Sequence, residues 1–136
     1  MKAQGTYTVV KWDESPYETI SPTSKLTRAS VEYQCAGDIE GKLAVQYLMF
    51  YSKADPKDQH NSTAEYTGII RFQGNIQKKA GSFIVFDKGS FQGGMASSSL
   101  EIAAGSGTEA LQGITGKGSY KADKNGCTIE LEYFLP

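Results

Sequence analysis

The chain has 136 residues, and its 14 basic and 15 acidic side chains are interspersed along it for a formal charge of −1. That length suits one domain, expected over 1–136, with its own core, and it is too short for a two-domain nucleotide enzyme. With neither a basic stripe nor a block of like charge, an electrostatic nucleic-acid surface and a charged disordered tail are both set aside.

The opening MKAQGTYTVVKW carries one lysine and no apolar run, so no secretory leader is expected. No stretch nears the ~18 apolar residues of a membrane helix, and a cytoplasmic protein is the expectation. Residues 6–12, TYTVVKW, alternate β-branched and aromatic residues and predict the first strand. Residues 13–24 contain two Ser-Pro steps and read as loop, because the residue before proline is driven out of the helical region. Residues 25–35 predict a second strand with Thr27, Ala29, Val31, Tyr33 and Cys35 on one face, and AGDIEG (36–41) a turn.

Residues 42–53 predict a third strand that is apolar on both sides; a helix is the rival at this length, but the valine and aromatic content favours strand. Leu43, Val45, Tyr47, Met49 and Tyr51 share one face; Ala44, Leu48 and Phe50 share the other. Such a strand is expected to be covered twice, by the core and by a partner. After the polar loop 54–61 come a fourth strand (62–74), with Ala64, Tyr66, Ile70 and Phe72 on one face, and a fifth (81–91), again apolar on both sides. Residues 93–104 predict a sixth strand and 116–122 a seventh. The Asn125-Gly126 step in DKNG predicts a tight hairpin into the eighth strand, 127–135, with Glu130 and Glu132 facing outward.

The fold expected is therefore all-β: an eight-stranded antiparallel up-and-down barrel, closed so that no sheet edge is left open. A barrel of this size holds packed side chains or one small ligand. The doubly apolar third and fifth strands point to a homo-oligomer.

The stretch GSGTEALQGITGKGSY (105–120) begins like a dinucleotide-binding loop, with the strand LEIAA before it. Such a loop needs a helix after it, whose N-terminus holds the pyrophosphate. Gly113, Gly116 and Gly118 follow too soon, each costing a helix about 1 kcal/mol. The Walker spacing fails as well, since Gly118 follows Lys117 and Leu111 stands five residues before Gly116. The stretch is expected to be a glycine-rich corner with one helical turn at TEALQ.

That corner, preceded by G-S-F-x-x-x-x-x-G-x-F-x-G-G (81–94), is similar to the end of allene oxide cyclases and dirigent proteins. The order of several further blocks resembles a small bacterial family of unknown function with the allene oxide cyclase-like barrel. These blocks are Trp12-Asp13-Glu14, Leu26 to Val31, Gly37 to Gly41, Tyr47-Leu48-Met49 with Tyr51, and Gly81-Ser82-Phe83. The likeness runs along nearly the whole chain. Members of that family often carry a glutamate where this chain has Ile69-Ile70, and a histidine where Asp87 stands.

The resemblance implies a mostly apolar cavity that shapes a reactive molecule with a carboxylate's help. The carboxylate candidates are Glu14, Glu65, Asp87 and Glu101; the walls are Trp12, Tyr47, Tyr51 and Phe83; Arg28 or Arg71 is the anion anchor. The function expected is binding of a small, partly apolar molecule. An isomerase or cyclase, and a structural module with a filled barrel, are the alternatives. No cofactor and no metal is expected: Asp55, Asp58 and His60 lie in a loop without the glycine and distal glutamate of a calcium site. His60, the single histidine, offers the only place for a Ser-His or Cys-His pair. Cys35 and Cys127 have no C-x-x-C neighbour and read as small buried thiols.

Overall fold

The computed structural model describes residues 1–55, 57–58 and 61–136. Eight strands run β1 (Lys2–Ser21), β2 (Ser24–Gly37), β3 (Ile39–Lys53), β4 (Thr63–Ile76), β5 (Lys79–Gln92), β6 (Met95–Ile102), β7 (Thr115–Asp123) and β8 (Gly126–Phe134). Each pairs antiparallel with its neighbour in sequence, and Lys2–Thr6 of β1 pairs with Thr128–Glu132 of β8 to close the ring. The expected barrel and its alternation are found: the predicted inner faces of β2, β3, β4 and β8 are the buried ones, save that Cys127 and Leu135, at the ends of the last set, are half-buried.

Several boundaries differ, each for a physical reason. Residues 13–21 are strand, not loop. Proline excludes helix but not extended backbone, and it is tolerated on an edge or at a bulge. Here β1 leaves β8 after Thr6 and continues with β2 alone, and its register shifts between Pro16 and Glu18. The turn predicted at 36–41 shrinks to the neighbourhood of Asp38, and Ile39 already belongs to β3. Gly93 and Gly94, placed in the sixth strand, make the β5–β6 turn with φ of 61° and 78°. The β4–β5 turn uses Gln77 and Lys78 at positive φ, without any glycine signal. In the last hairpin the turn residues are Lys124 and Asn125; Gly126 is paired with Asp123, whose Oδ1 accepts from the Asn125 amide at 2.7 Å.

The barrel has two unlike ends. At one, Ile39, Leu43, Ile70, Phe72, Phe83, Val85, Ile129 and Leu131 interdigitate and leave only about 10 Å³ between them. The corner 103–114 closes this floor with Leu111 and Ile114, both fully buried. A single 3-10 turn, Glu109–Leu111, stands where one helical turn was expected. At the other end, beside the β5–β6 and β7–β8 turns, the interior is open.

The outward faces of β3 and β5 are apolar as predicted, but in the single chain they are not covered. Leu48, Phe50, Ile69 and Phe86 are all at least one-third exposed.

Candidate functional site

The open half holds a cavity of about 390 Å³, within the usual range for small-molecule sites. Six of the eight tyrosines line it: Tyr7, Tyr33, Tyr47, Tyr51, Tyr66 and Tyr120. Val9, Trp12, Met49, Phe91, Ala96, Ala122, Cys127 and Glu14 complete the wall. Strand parity brings most of them inward, and β1 adds a bulge. Val9 pairs with Tyr33 and Lys11 with Glu32, so Val10 is an extra residue. It shifts the inward parity from Tyr7 and Val9 to Trp12 and Glu14.

Glycine makes room for the rings. A Cβ on Gly68 would stand 2.6 Å from the Tyr47 ring, and one on Gly89 would stand 2.8 Å from the Tyr66 hydroxyl. The rings then lock edge to face: Tyr7 against Tyr33 (4.8 Å between centroids), Tyr7 against Tyr120 (5.8 Å) and Tyr47 against Tyr66 (5.2 Å).

Between cavity and floor lies a belt of hydroxyls around Asp87. Tyr47 donates to Asp87 Oδ2 at 3.2 Å. Its own oxygen is approached by the hydroxyls of Tyr33 at 3.4 Å and Tyr120 at 3.2 Å. Tyr120 donates to Tyr66 at 2.7 Å, and Tyr66 lies 2.8 Å from Ser98 Oγ. Each hydroxyl has one proton. With Tyr47 committed to Asp87 and Tyr120 to Tyr66, Tyr33 supplies the proton to Tyr47 and Tyr66 the one to Ser98.

Asp87 is 1% exposed, and its Oδ1 has no hydrogen-bond partner. Burial pushes this carboxyl up to about 6, against the opposing pull of the Ser98 and Tyr47 hydroxyls. Burial also holds Tyr47, Tyr66 and Tyr120 above the ordinary phenol value, and takes Tyr33 to about 12. The belt is therefore a set of neutral phenols around one acid. The Tyr7 hydroxyl makes no hydrogen bond of normal geometry, though it lies close enough to the Cys127 thiol to oppose the upward push of burial on that group, and it is itself pushed upward by burial.

At the mouth, Glu14 accepts from Thr27 Oγ1 (2.6 Å), the Tyr51 hydroxyl (2.8 Å) and Trp12 Nε1 (3.0 Å). The Trp12 ring lies tilted 6.2 Å from that of Tyr47.

Of the residues singled out in the sequence, Trp12, Glu14, Tyr47 and Tyr51 meet at the cavity, and Asp87 lies in the belt beneath it. Phe83 is buried in the floor instead. Glu65 and Glu101 point outward and are exposed, because they fall on the opposite parity of β4 and β6. Arg71 is also exposed, and Arg28 lies outside over the Tyr17 ring at 5.9 Å, so neither serves as an anion anchor in the cavity. His60 lies outside the described residues. No group of metal-ligating side chains is found among the described residues. None of their helices is long and apolar enough to cross a membrane.

Sequence reasoning missed Tyr7, Tyr33, Tyr66, Tyr120 and Ser98. Their signal was parity: Tyr33 and Tyr66 had already been placed on inner faces, and only their distance from the floor distinguishes wall from core.

A family model described as "Protein of unknown function (DUF3224)" matches residues 3–133. Among solved structures, a DUF3224-family protein of unknown function from Shewanella oneidensis MR-1 aligns with a TM-score of 0.75 at 19% identity. The alignment covers 100% of this chain and 97% of that one, a likeness of fold. No curated protein matches the sequence.

Proposed function

The chain belongs to the DUF3224 family, whose function is unknown, and we propose from the site itself that it binds a small, partly apolar molecule in the open half of its barrel. The observation that carries this reading is the cavity of about 390 Å³ walled by tyrosines while the other half of the barrel is packed solid. Filling a core stabilises a barrel, and an unfilled half forgoes that contact energy. A ligand of matching size recovers it. Rings locked edge to face also hold the cavity open in advance, which lowers the ordering cost of binding.

The test uses Trp12, the one tryptophan, whose ring stands at the mouth. Titration with a chemically diverse apolar library is expected to give saturable, single-site changes in its fluorescence. Ala96→Phe, which fills the cavity from β6, should weaken the hits at least about tenfold while the melting temperature holds or rises. A library without a saturable hit removes the reading.

One observation favours a second reading, an isomerase. Asp87 has an acid strength near neutrality and is joined by Tyr47 to the cavity wall, and a group poised there suits proton transfer. A bound carbon acid incubated in heavy water should then gain deuterium with the natural protein and not with Asp87→Asn. Equal exchange in both disposes of it.

A further inference from the structure

We propose that the molecule held is an organic cation, a protonated primary or secondary amine on an apolar body; this rests on the binding reading above and names its ligand class. The first ground is charge. Among the described residues, the charged side chain in the cavity wall is Glu14, and Asp87 lies just below. Every hydrogen bond these two carboxylates accept comes from a neutral hydroxyl or indole N–H. The ion pair found among the described residues, Lys42 with Glu32, is on the outer surface. Lys25 comes nearest in kind, its Nζ 5.2 Å from the Tyr51 ring centroid, and it is not part of the wall. Arg28 and Arg71 face away. The site therefore gathers negative charge without a cation of its own, and a carboxylate ligand would add to it.

The second ground is the wall. Tyrosine and tryptophan present negative ring faces, which attract an ammonium that has left water. Met49, Phe91 and Ala96 add apolar surface beside these rings, against which the organic body of such a cation packs.

The third ground is independent of charge. The Tyr7 hydroxyl lines the cavity, is 6% exposed, and makes no hydrogen bond of normal geometry. Asp87 Oδ1, at 1% exposure, has none either. Buried polar atoms are almost always paired. Tyr7 lines the cavity and Asp87 adjoins it through the Tyr47 hydroxyl, and both have lone pairs free to accept. A ligand that donates N–H bonds there answers them. The geometry thus sets the pose: the amine goes down toward Tyr7 and the Asp87 belt, and the apolar body rests against Trp12, Met49 and Phe91. Glu14 at the mouth draws the cation in.

Three molecules of one shape separate the possibilities: 2-naphthylmethylamine, 2-naphthylmethanol and 2-naphthoate, titrated calorimetrically into the natural protein at neutral pH. The amine is expected to bind about tenfold or more tighter than the alcohol, and the carboxylate most weakly. Glu14→Gln and Asp87→Asn should each weaken the amine several-fold and leave the alcohol unchanged. Tyr7→Phe should weaken the amine in the same way. If Asp87→Asn fails to fold, Glu14→Gln at the rim still reads the charge. An alcohol that binds as tightly as the amine, or a carboxylate that binds best, overturns the cation and leaves the cavity reading standing. Failure of all three overturns both.

Discussion

Asp87 sits where the pleat of β5 turns a carboxyl into the barrel, with the Tyr47 hydroxyl donating to its Oδ2 at 3.2 Å. An aspartate normally titrates near 4; burial takes this one to about 6. Between those values the native state keeps a proton that the unfolded chain has released. Stability contributed by this group therefore falls as pH rises from about 4 to about 6 and stays lowered above, by at most about 3 kcal/mol. Asp87→Asn removes the titration while keeping an oxygen for Tyr47. Urea midpoints should show the variant more stable than the natural chain at about pH 8 and level with it at about pH 4. Parallel pH profiles for the two proteins would remove the argument. Stability given up at one group is a recurrent cost of function, and the proposed place of Asp87 beside the cavity accounts for that cost here.

The corner between β6 and β7 answers what the glycine-rich stretch is for. β6 pairs with β5 only from Val85 to Gln92, so Lys79–Ile84 of β5 would present an open edge. The corner takes the place of the missing strand. Thr108 donates its amide to the Ser82 carbonyl (2.9 Å), and its Oγ1 accepts from the Ser82 amide (3.0 Å). Ser106 Oγ accepts from the Ile84 amide (3.0 Å). These groups are spent on sealing the barrel and are not free to cradle a phosphate. Thr108→Val should cost about 1–2 kcal/mol in chemical denaturation, through a lost acceptor at an edge amide. Leu111→Ala should cost about 3 kcal/mol or more through a cavity in the floor. Neither should change ligand affinity, since the cavity opens at the far end; a shift in affinity from either would show the two ends to be coupled. Elements of this kind were legible in unequal measure. Alternation over 25–35 and 42–53 marked β2 and β3 because period two survives any context. The turn at Gln77-Lys78 was not legible: its positive φ is held from outside, by Gln77 Nε2 donating to the Lys2 carbonyl at 3.2 Å and by a hydrogen bond from Tyr133. The strand through Asp13–Ser21 was missed because proline's local preference is the same in a loop and in an unpaired ribbon edge.

At the scale of the molecule, one closed sheet serves three surfaces: a packed floor, an open aromatic cavity, and an outer face with apolar side chains across β3, β4 and β5. The cavity was half legible. Tyr47, Tyr51, Trp12 and Glu14 meet in the cavity wall, while Arg28 and Arg71 lie outside it, because residue type alone does not say which face a charged side chain takes. The outer face bears on the expected homo-oligomer. Ile69 pairs directly with Phe86, and Leu48 lies diagonal to Ile69 across the β3–β4 ladder, with Phe50 two residues further along. All four are exposed, at 53%, 51%, 47% and 38%. Scattered apolar side chains need no explanation, but neighbours spanning three strands form the kind of patch that favours association. Light scattering over a micromolar concentration series decides the matter. A mass of two or more chains that falls to one in Ile69→Lys would support self-association through this face, with the cavity mouth left clear because the outer stripe lies on the barrel wall. A single-chain mass throughout would remove the oligomer, and ligand affinity unaltered in Ile69→Lys would show that the site is complete within one chain.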